Sequence, residues 1–287
     1  MSKTVLITGC SSGFGHAAAL YFARQGWNVI ATMRVPKDGG PLARFPNILV
    51  TRLDVQDPDS ITRAIADGIE RFGNIDAVVN NAGFGLFGVF EAAAEAKMHE
   101  QFDVNVFGLM RVTRAILPHF RARRSGTIIN ITSGAGVFGL PMISLYTATK
   151  FAVEGFSESL SYELSALGIA VKIVEPGGVL DTGFGDRSGS ESQELNPIAD
   201  YDNFNAAAAK IFANLRGQRL ATSEDVARVI FEAASDGSNR LRYVATDDIV
   251  PLVKARRETT EDTYMTMMRA RFPVAECEGC AGNADVR

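Results

Sequence analysis

Seven short runs of consecutive apolar, mostly β-branched residues punctuate the chain: TVLIT at 4–8, NVIATM at 28–33, ILVTRL at 48–53, DAVVN at 76–80, TIINIT at 127–132, AVKIVEP at 170–176 and LRYVAT at 241–246. Their apolar positions are adjacent rather than alternating, as in strands covered by helices on both faces, so a parallel sheet is expected. Helical patterns fill the intervals at about 14–25, 58–72, 95–123, 147–167 and 223–234. Two of them carry start signals. DPDS at 57–60 pairs an Asp cap with a proline at the first helical position, and TSED at 222–225 offers a Thr or Ser cap with acids in the first turn.

The alternation of strand and helix predicts the α/β class: a Rossmann-like, doubly wound parallel sheet of about seven strands in three α/β/α layers. Such a sheet binds ligands beyond the carboxyl ends of its strands. From residue 181 the pattern weakens into GFGDRSGSESQELNPIAD before a short Ala-rich helix. Strand and helix signals then resume, so the segment at about 183–217 reads as a lid over the site rather than a linker. One domain is expected over 1–270, followed by a tail at 271–287.

Composition narrows the classes of function. A 46% hydrophobic, 22% charged chain of 287 residues with net charge −4 describes a soluble protein and gives no basic surface for nucleic acid. RARR at 121–124 ends a helix, where cations complement the dipole. No run approaches the ~18 apolar residues that span a bilayer, so no membrane partner is expected. MSKTVLITG is too short in apolar length for a secretory leader, and the three cysteines, Cys10, Cys277 and Cys280, form no disulfide framework. A cytoplasmic location follows as the expectation. The CxxC at Cys277 and Cys280 lacks a matching pair of ligands, and His16, His99 and His119 are widely separated, so no metal is expected.

The candidate chemistry lies at strand ends. After the first strand, TGCSSGFG (Thr8, Gly9, Cys10, Ser11, Ser12, Gly13, Phe14, Gly15) presents bare backbone N–H groups and a helix N-terminus, the means of holding a pyrophosphate. After the second strand stands Arg34 where a ribose-binding acid would sit. A guanidinium fork suits a 2′-phosphate, so NADP(H) is favoured over NAD(H), with Ser11 or Ser12 as further phosphate donors. LDV places Asp54 and Val55 beyond the third strand; the carboxylate either accepts from an adenine amino group or caps the following helix. NNAG, ending in Asn81, Ala82 and Gly83, suits backbone passing close to a ring while amides brace the neighbouring strands. YTATK sets Tyr146 and Lys150 one helical turn apart, on one face.

In this order and at these separations, TGCSSGFG, NNAG, Asn105 in DVNVFG, Ser133 in NITS, YTATK and PGG from Pro176 resemble the short-chain dehydrogenases/reductases of single-domain length, over about residues 1–250. The resemblance implies an enzyme interconverting a ketone or aldehyde and an alcohol. Ser133, Tyr146 and Lys150 would catalyse, and Asn105 would complete a tetrad at a helix kink. Pro176, Gly177, Val179 and Thr182 would line the nicotinamide end, and a homodimer or homotetramer would form through the helices ending near 124 and beginning near 147. The chemistry is coherent on its own terms. A carbonyl that accepts hydride needs a proton at oxygen, a phenol can give it, and a nearby cation favours the phenolate left behind.

One departure stands out: five residues after Pro176, where the family commonly has threonine, the chain has Asp181, and Thr182 follows. For substrate, Phe84 and Phe138, with Leu86, Val137, Leu140 and Met142, make an apolar edge. Either they face a hydrophobic ketone or they pack the lid onto the sheet. Two other readings compete with the enzyme: a catalytically silent dinucleotide-binding sensor or partner-binding module, which loss of Tyr146 or Lys150 would have favoured, and a sugar-nucleotide epimerase, for which the glycine spacing is unsuited.

Overall fold

The computed structural model describes residues 2–36, 40–179, 181–182, 198–217 and 221–273. All seven expected strands form: β1 (Thr4–Ile7), β2 (Asn28–Met33), β3 (Ile48–Arg52), β4 (Ala77–Asn80), β5 (Gly126–Ile131), β6 (Ile169–Glu175) and β7 (Arg242–Val244). They make one sheet in the order β3-β2-β1-β4-β5-β6-β7, every neighbouring pair parallel. The chain winds outward from β1 to β3 and returns to place β4 on the other side of β1. That reversal opens a crevice at the carboxyl ends of β1 and β4.

The helices are α1 (Gly13–Arg24), α2 (Pro58–Phe72), α3 (Glu95–Phe102), α4 (Leu109–Arg123), α5 (Ser144–Ser165), α6 (Asp202–Gly217), α7 (Ser223–Ser235), α8 (Val250–Glu258) and α9 (Glu261–Arg271). Strand geometry explains why apolar positions run consecutively. Val5 and Ile7 join Ala18 and Phe22 of α1 and Val226 and Ile230 of α7 in one core layer. Leu6 between them joins Ile61 of α2, Val112 and Ile116 of α4 and Leu160 of α5 in the other. With both faces covered, most strand residues are apolar, and truncating a fully buried Leu or Ile among them to Ala costs about 2–5 kcal/mol.

Both expected caps form. The Asp57 carboxylate accepts from the backbone N–H of Asp59 and Ser60, and Thr222 and Asp225 make a reciprocal capping box. The helix expected over 95–123 is divided. Between α3 and α4, Asp103–Gly108 forms a six-residue π-helical turn that contains Asn105. The helix expected from 147 begins three residues earlier, at Ser144. Helical order runs to Arg271, and Phe272 packs with Val137, Phe138 and Leu252, two residues past the expected boundary at 270. Of the expected lid, 198–217 contributes a 3₁₀ turn and α6, whereas 183–197 lie outside the described residues, as do Cys277 and Cys280.

Candidate active site

The loop after β1 is built for close approach. Gly9 has φ +73°, and a side chain there would press on Ala82 at 3.1 Å. Gly15 is tighter still: a Cβ would come within 2.4 Å of the Gly9 carbonyl oxygen and 2.5 Å of Asn81 Nδ2. Gly15, expected to touch a cofactor, instead lets α1 dock against its own loop. The two amides of NNAG brace the frame as expected. Asn80 Nδ2 donates to Asn130 Oδ1 on β5 at 2.9 Å and to Thr113 on α4, while Asn81 Nδ2 donates to the Thr8 carbonyl at 2.8 Å. Thr8 Oγ1 in turn accepts from the N–H groups of Asn81 and Ala82.

A cleft of about 200 Å³ runs along these strand ends. Gly9, Ser11, Ser12, Gly13 and Phe14 line it from the loop after β1, Arg34 from β2, Asp54 and Val55 from β3, and Asn81, Ala82 and Gly83 from β4. Tyr146 and Lys150 of α5 share the same wall. Thr182 also borders it, placed so that a Cβ on Gly13 would lie 3.6 Å from its own. Met33, Leu53, Gln56, Val104, Ile131 and Thr132 also line the cleft, and none carried a signal in the sequence, because a single apolar or small polar residue reads alike whether it faces a cleft or the core. Ser11, Ser12 and Arg34 are exposed. Asp54 is not the helix cap, which is Asp57; it lines the cleft, and its Oδ1 accepts from the N–H of Gln56 at 3.1 Å.

Tyr146 and Lys150 are both buried on the first two turns of α5. The Lys150 ammonium donates to the Ile131 carbonyl at 2.9 Å and lies 5.5 Å from the Tyr146 ring centre. Burial pulls Lys150 down to about 8 against an opposing pull from Glu154. The phenol moves opposite to expectation: burial pushes Tyr146 up to about 12, and a hydrogen bond with Ser133 offsets only part of this. Desolvation of the phenolate thus dominates at Tyr146.

Ser133 follows β5 in extended conformation, and its Oγ also accepts from Ala135 N–H at 3.1 Å. Asn105 stands behind the site. Its Oδ1 accepts from Phe84 N–H, and its Nδ2 donates to the Phe84 carbonyl at 2.8 Å and to Thr149 Oγ1 at 3.1 Å, tying the π-helical turn to α5. Phe84 and Phe138, expected to touch substrate, are fully buried. Phe84 lies in the core layer with Val104 and Leu86, and Phe138 packs with Ile249 and Leu252, so both shape the site from behind. The apolar surroundings of Tyr146 are instead Ala135, Ile143, Phe87 and Leu140, and Phe87 meets Phe212 of α6 edge-on at 5.9 Å.

The loop after β6 differs in part from expectation. Gly177 N–H donates to Thr246 Oγ1 at 2.9 Å, and a Cβ there would strike the Asp248 carboxylate at 2.3 Å, while Val179 packs in the core. Among the described residues Pro176, Gly177 and Val179 stand outside the cleft wall, and Thr182 stands in it. Asp181, the departure in the motif, is explained by α7. Its carboxylate accepts from the Ser223 N–H at 2.9 Å and from the Ser223 hydroxyl at 2.9 Å, which anchors the residue before Thr182 to a helix start. Among the described residues no His, Cys, Asp or Glu cluster could hold a metal, and no helix is long and apolar enough to cross a membrane.

Comparison with known proteins agrees with this geometry. The family model described as short chain dehydrogenase matches residues 3–193. An uncharacterised oxidoreductase of Schizosaccharomyces pombe is 37% identical over 84% of this chain and 99% of its own length. Estradiol 17-beta-dehydrogenase 1 of Rattus norvegicus is 36% identical over 90% of this chain and 77% of its own. Among solved structures, a short-chain dehydrogenase/reductase from Burkholderia phymatum in complex with NAD aligns with TM-score 0.75 and 26% identity over 90% of this chain and 93% of the other. The closed form of a serine dehydrogenase complexed with NADP⁺ aligns with TM-score 0.72 and 30% identity over 84% and 94%.

Proposed function

This chain belongs to the short-chain dehydrogenase family, whose members are NAD(P)-dependent oxidoreductases, and from that premise we propose that it reduces a hydrophobic ketone with NADPH, Tyr146 giving the proton. The observation that carries the reading is a single cleft that joins the glycine loop and Arg34 to the buried pair Tyr146 and Lys150.

The donor set suits a dinucleotide. Backbone N–H groups at the start of α1, with the exposed Ser11 and Ser12 hydroxyls, offer donors to a pyrophosphate. Arg34 supplies a fork of donors for a 2′-phosphate, and among the described residues no acid from the end of β2 lines the cleft to accept from a bare ribose diol. Asp54 and Val55 would border the adenine, and Lys150 the nicotinamide ribose.

When bound, the nicotinamide supplies hydride to the carbonyl carbon. Tyr146 donates its hydroxyl proton to the oxygen as negative charge develops there, with Ser133 hydrogen-bonded at the same oxygen. A phenol held near 12 keeps its proton throughout the neutral range, as a proton donor to the carbonyl oxygen must. The Lys150 ammonium then steadies the phenolate until a proton returns. Phe87, Leu140 and Phe212 give the approach to Tyr146 an apolar wall, which favours a flat hydrophobic substrate over a charged one. Exposed Phe107, Phe151 and Tyr162, on the π-helical turn and α5, form the face through which a homodimer or homotetramer would assemble.

A panel of hydrophobic ketones assayed by nicotinamide absorbance with NADPH and with NADH tests this reading. NADPH-dependent turnover of at least one is expected. Tight NADPH binding with no turnover across the panel would favour the silent-sensor alternative, and equal use of NADH would overturn the role of Arg34.

A further inference from the structure

The last three residues at the carboxyl end of β5 and just beyond it are each held by a different side chain of α5. The Ile131 carbonyl accepts from Lys150, the Thr132 hydroxyl donates to Glu154 Oε1 at 2.7 Å, and Ser133 is hydrogen-bonded to Tyr146. Two of these rungs belong to the proton-transfer pair. The third, Glu154, lies one turn beyond Lys150 on the same face of α5 and is 7% exposed, a depth at which an acid needs a reason.

Its surroundings supply partial compensation. Across from Glu154, Arg242 of β7 donates to Oε2 at 3.0 Å and also pairs with Glu158 of α5. Glu175 of β6 is completely buried nearby; it pairs with Arg257 of α8 and lies 3.7 Å from Arg242. Two buried carboxylates thus share two arginines, each of which is itself partly exposed. Lys150 lies one turn before Glu154 on the same face of α5, and the Glu154 carboxylate opposes the effect of burial on its ammonium.

We propose that Glu154 is a positioning residue, which keeps Lys150 cationic and clamps Thr132 at the cleft wall so that the three rungs stay in register. The proposal rests on the reading of Tyr146 and Lys150 as the proton-transfer pair. A purely structural Glu154 would serve only Arg242, and the two roles separate experimentally.

The test follows the Lys150 ε-carbon by NMR in the full chain labelled with ¹³C-lysine, without dinucleotide, with Lys150→Met to assign the signal. In E154Q the Lys150 titration moves to lower pH by about one unit or more, as a carboxylate one turn away gives at an effective dielectric of about 20. The alkaline limb of kcat/KM moves with it, and kcat falls more than the KM for NADPH rises. E158Q, which loosens Arg242 from the exposed side, leaves the Lys150 titration in place. An E154Q protein that folds with the Lys150 titration unmoved overturns the proposal. Should E154Q fail to fold, E154D keeps the charge but draws it back from Thr132, so kcat falls several-fold; unchanged kcat in E154D overturns the proposal equally. The NMR arm is independent of turnover, so a failed catalytic reading shows separately, as activity surviving in Tyr146→Phe.

Discussion

Replacing Lys150 by Met should make the protein more stable while disabling it, and the gain should shrink as pH rises. Burial holds the Lys150 ammonium at about 8 against an ordinary 10.5. At about 1.4 kcal/mol per tenfold, the cation costs the folded state about 3 kcal/mol at pH 7. The sign follows from proton counts. Between about 8 and 10.5 the unfolded chain holds the proton that the folded chain has lost, so wild-type stability climbs with pH through that window, and the penalty fades toward 10.5. The methionine variant carries no such penalty. The stability difference between variant and wild type should therefore fall by about 2 kcal/mol from about pH 7 to about pH 9.5. Loss of the hydrogen bond to the Ile131 carbonyl costs about 1 kcal/mol at every pH, which lowers the curve without changing its slope. Urea unfolding followed by the fluorescence of Trp27, the only tryptophan and a buried one, reads this directly. Staying below about pH 9.5 keeps Tyr146, near 12, protonated. A difference that is flat with pH would show instead that Lys150 is solvated like a surface lysine.

Other consequences are open to direct measurement. Arg34→Ala should raise the KM for NADPH about tenfold or more and leave that for NADH unchanged, since only the 2′-phosphate loses a partner; parallel loss for both would place Arg34 outside the ribose site. Asp181→Ala should cost about 1–2 kcal/mol in urea unfolding, because the Ser223 N–H and hydroxyl lose their acceptor, and should weaken NADPH binding several-fold through Thr182. Unchanged stability would show that the carboxylate does not hold the start of α7. Phe151→Glu should convert an oligomer into monomers by light scattering, with secondary structure intact; an unaltered mass would move the interface elsewhere.

What could be read from the chain divides along physical lines. The sheet was legible because strands covered on both faces must be apolar at successive positions, as Val5, Leu6 and Ile7 are. The glycine turn into α1 and the placing of Tyr146 and Lys150 on one face of α5 were legible because each is a local pattern whose spacing is its geometry. Interactions across long separations were not. Thr132 and Glu154 are 22 residues apart and Glu154 and Arg242 are 88, so nothing local marks them as one cluster. The direction of the Tyr146 shift depends on how Phe87, Ala135, Leu140 and Ile143 close around the phenol, and a motif does not show its own desolvation. The two readings of Phe84 and Phe138 stayed open for the same reason: an aromatic near a strand end reads alike whether it faces a cleft or the core behind it.

A proton given by Tyr146 and a dinucleotide held by the rest of the cleft are separable by mutation. Tyr146→Phe removes one hydroxyl from a buried position and leaves the glycine loop, Arg34 and Lys150 in place. The deciding measurement pairs NADPH affinity with single-turnover hydride transfer to the best ketone of the panel, in wild type and in this variant. NADPH binding is expected within about twofold and hydride transfer slowed by at least about a thousandfold, the order expected when a positioned proton donor is lost. Hydride transfer within about tenfold of wild type, with NADPH still bound, would contradict that expectation.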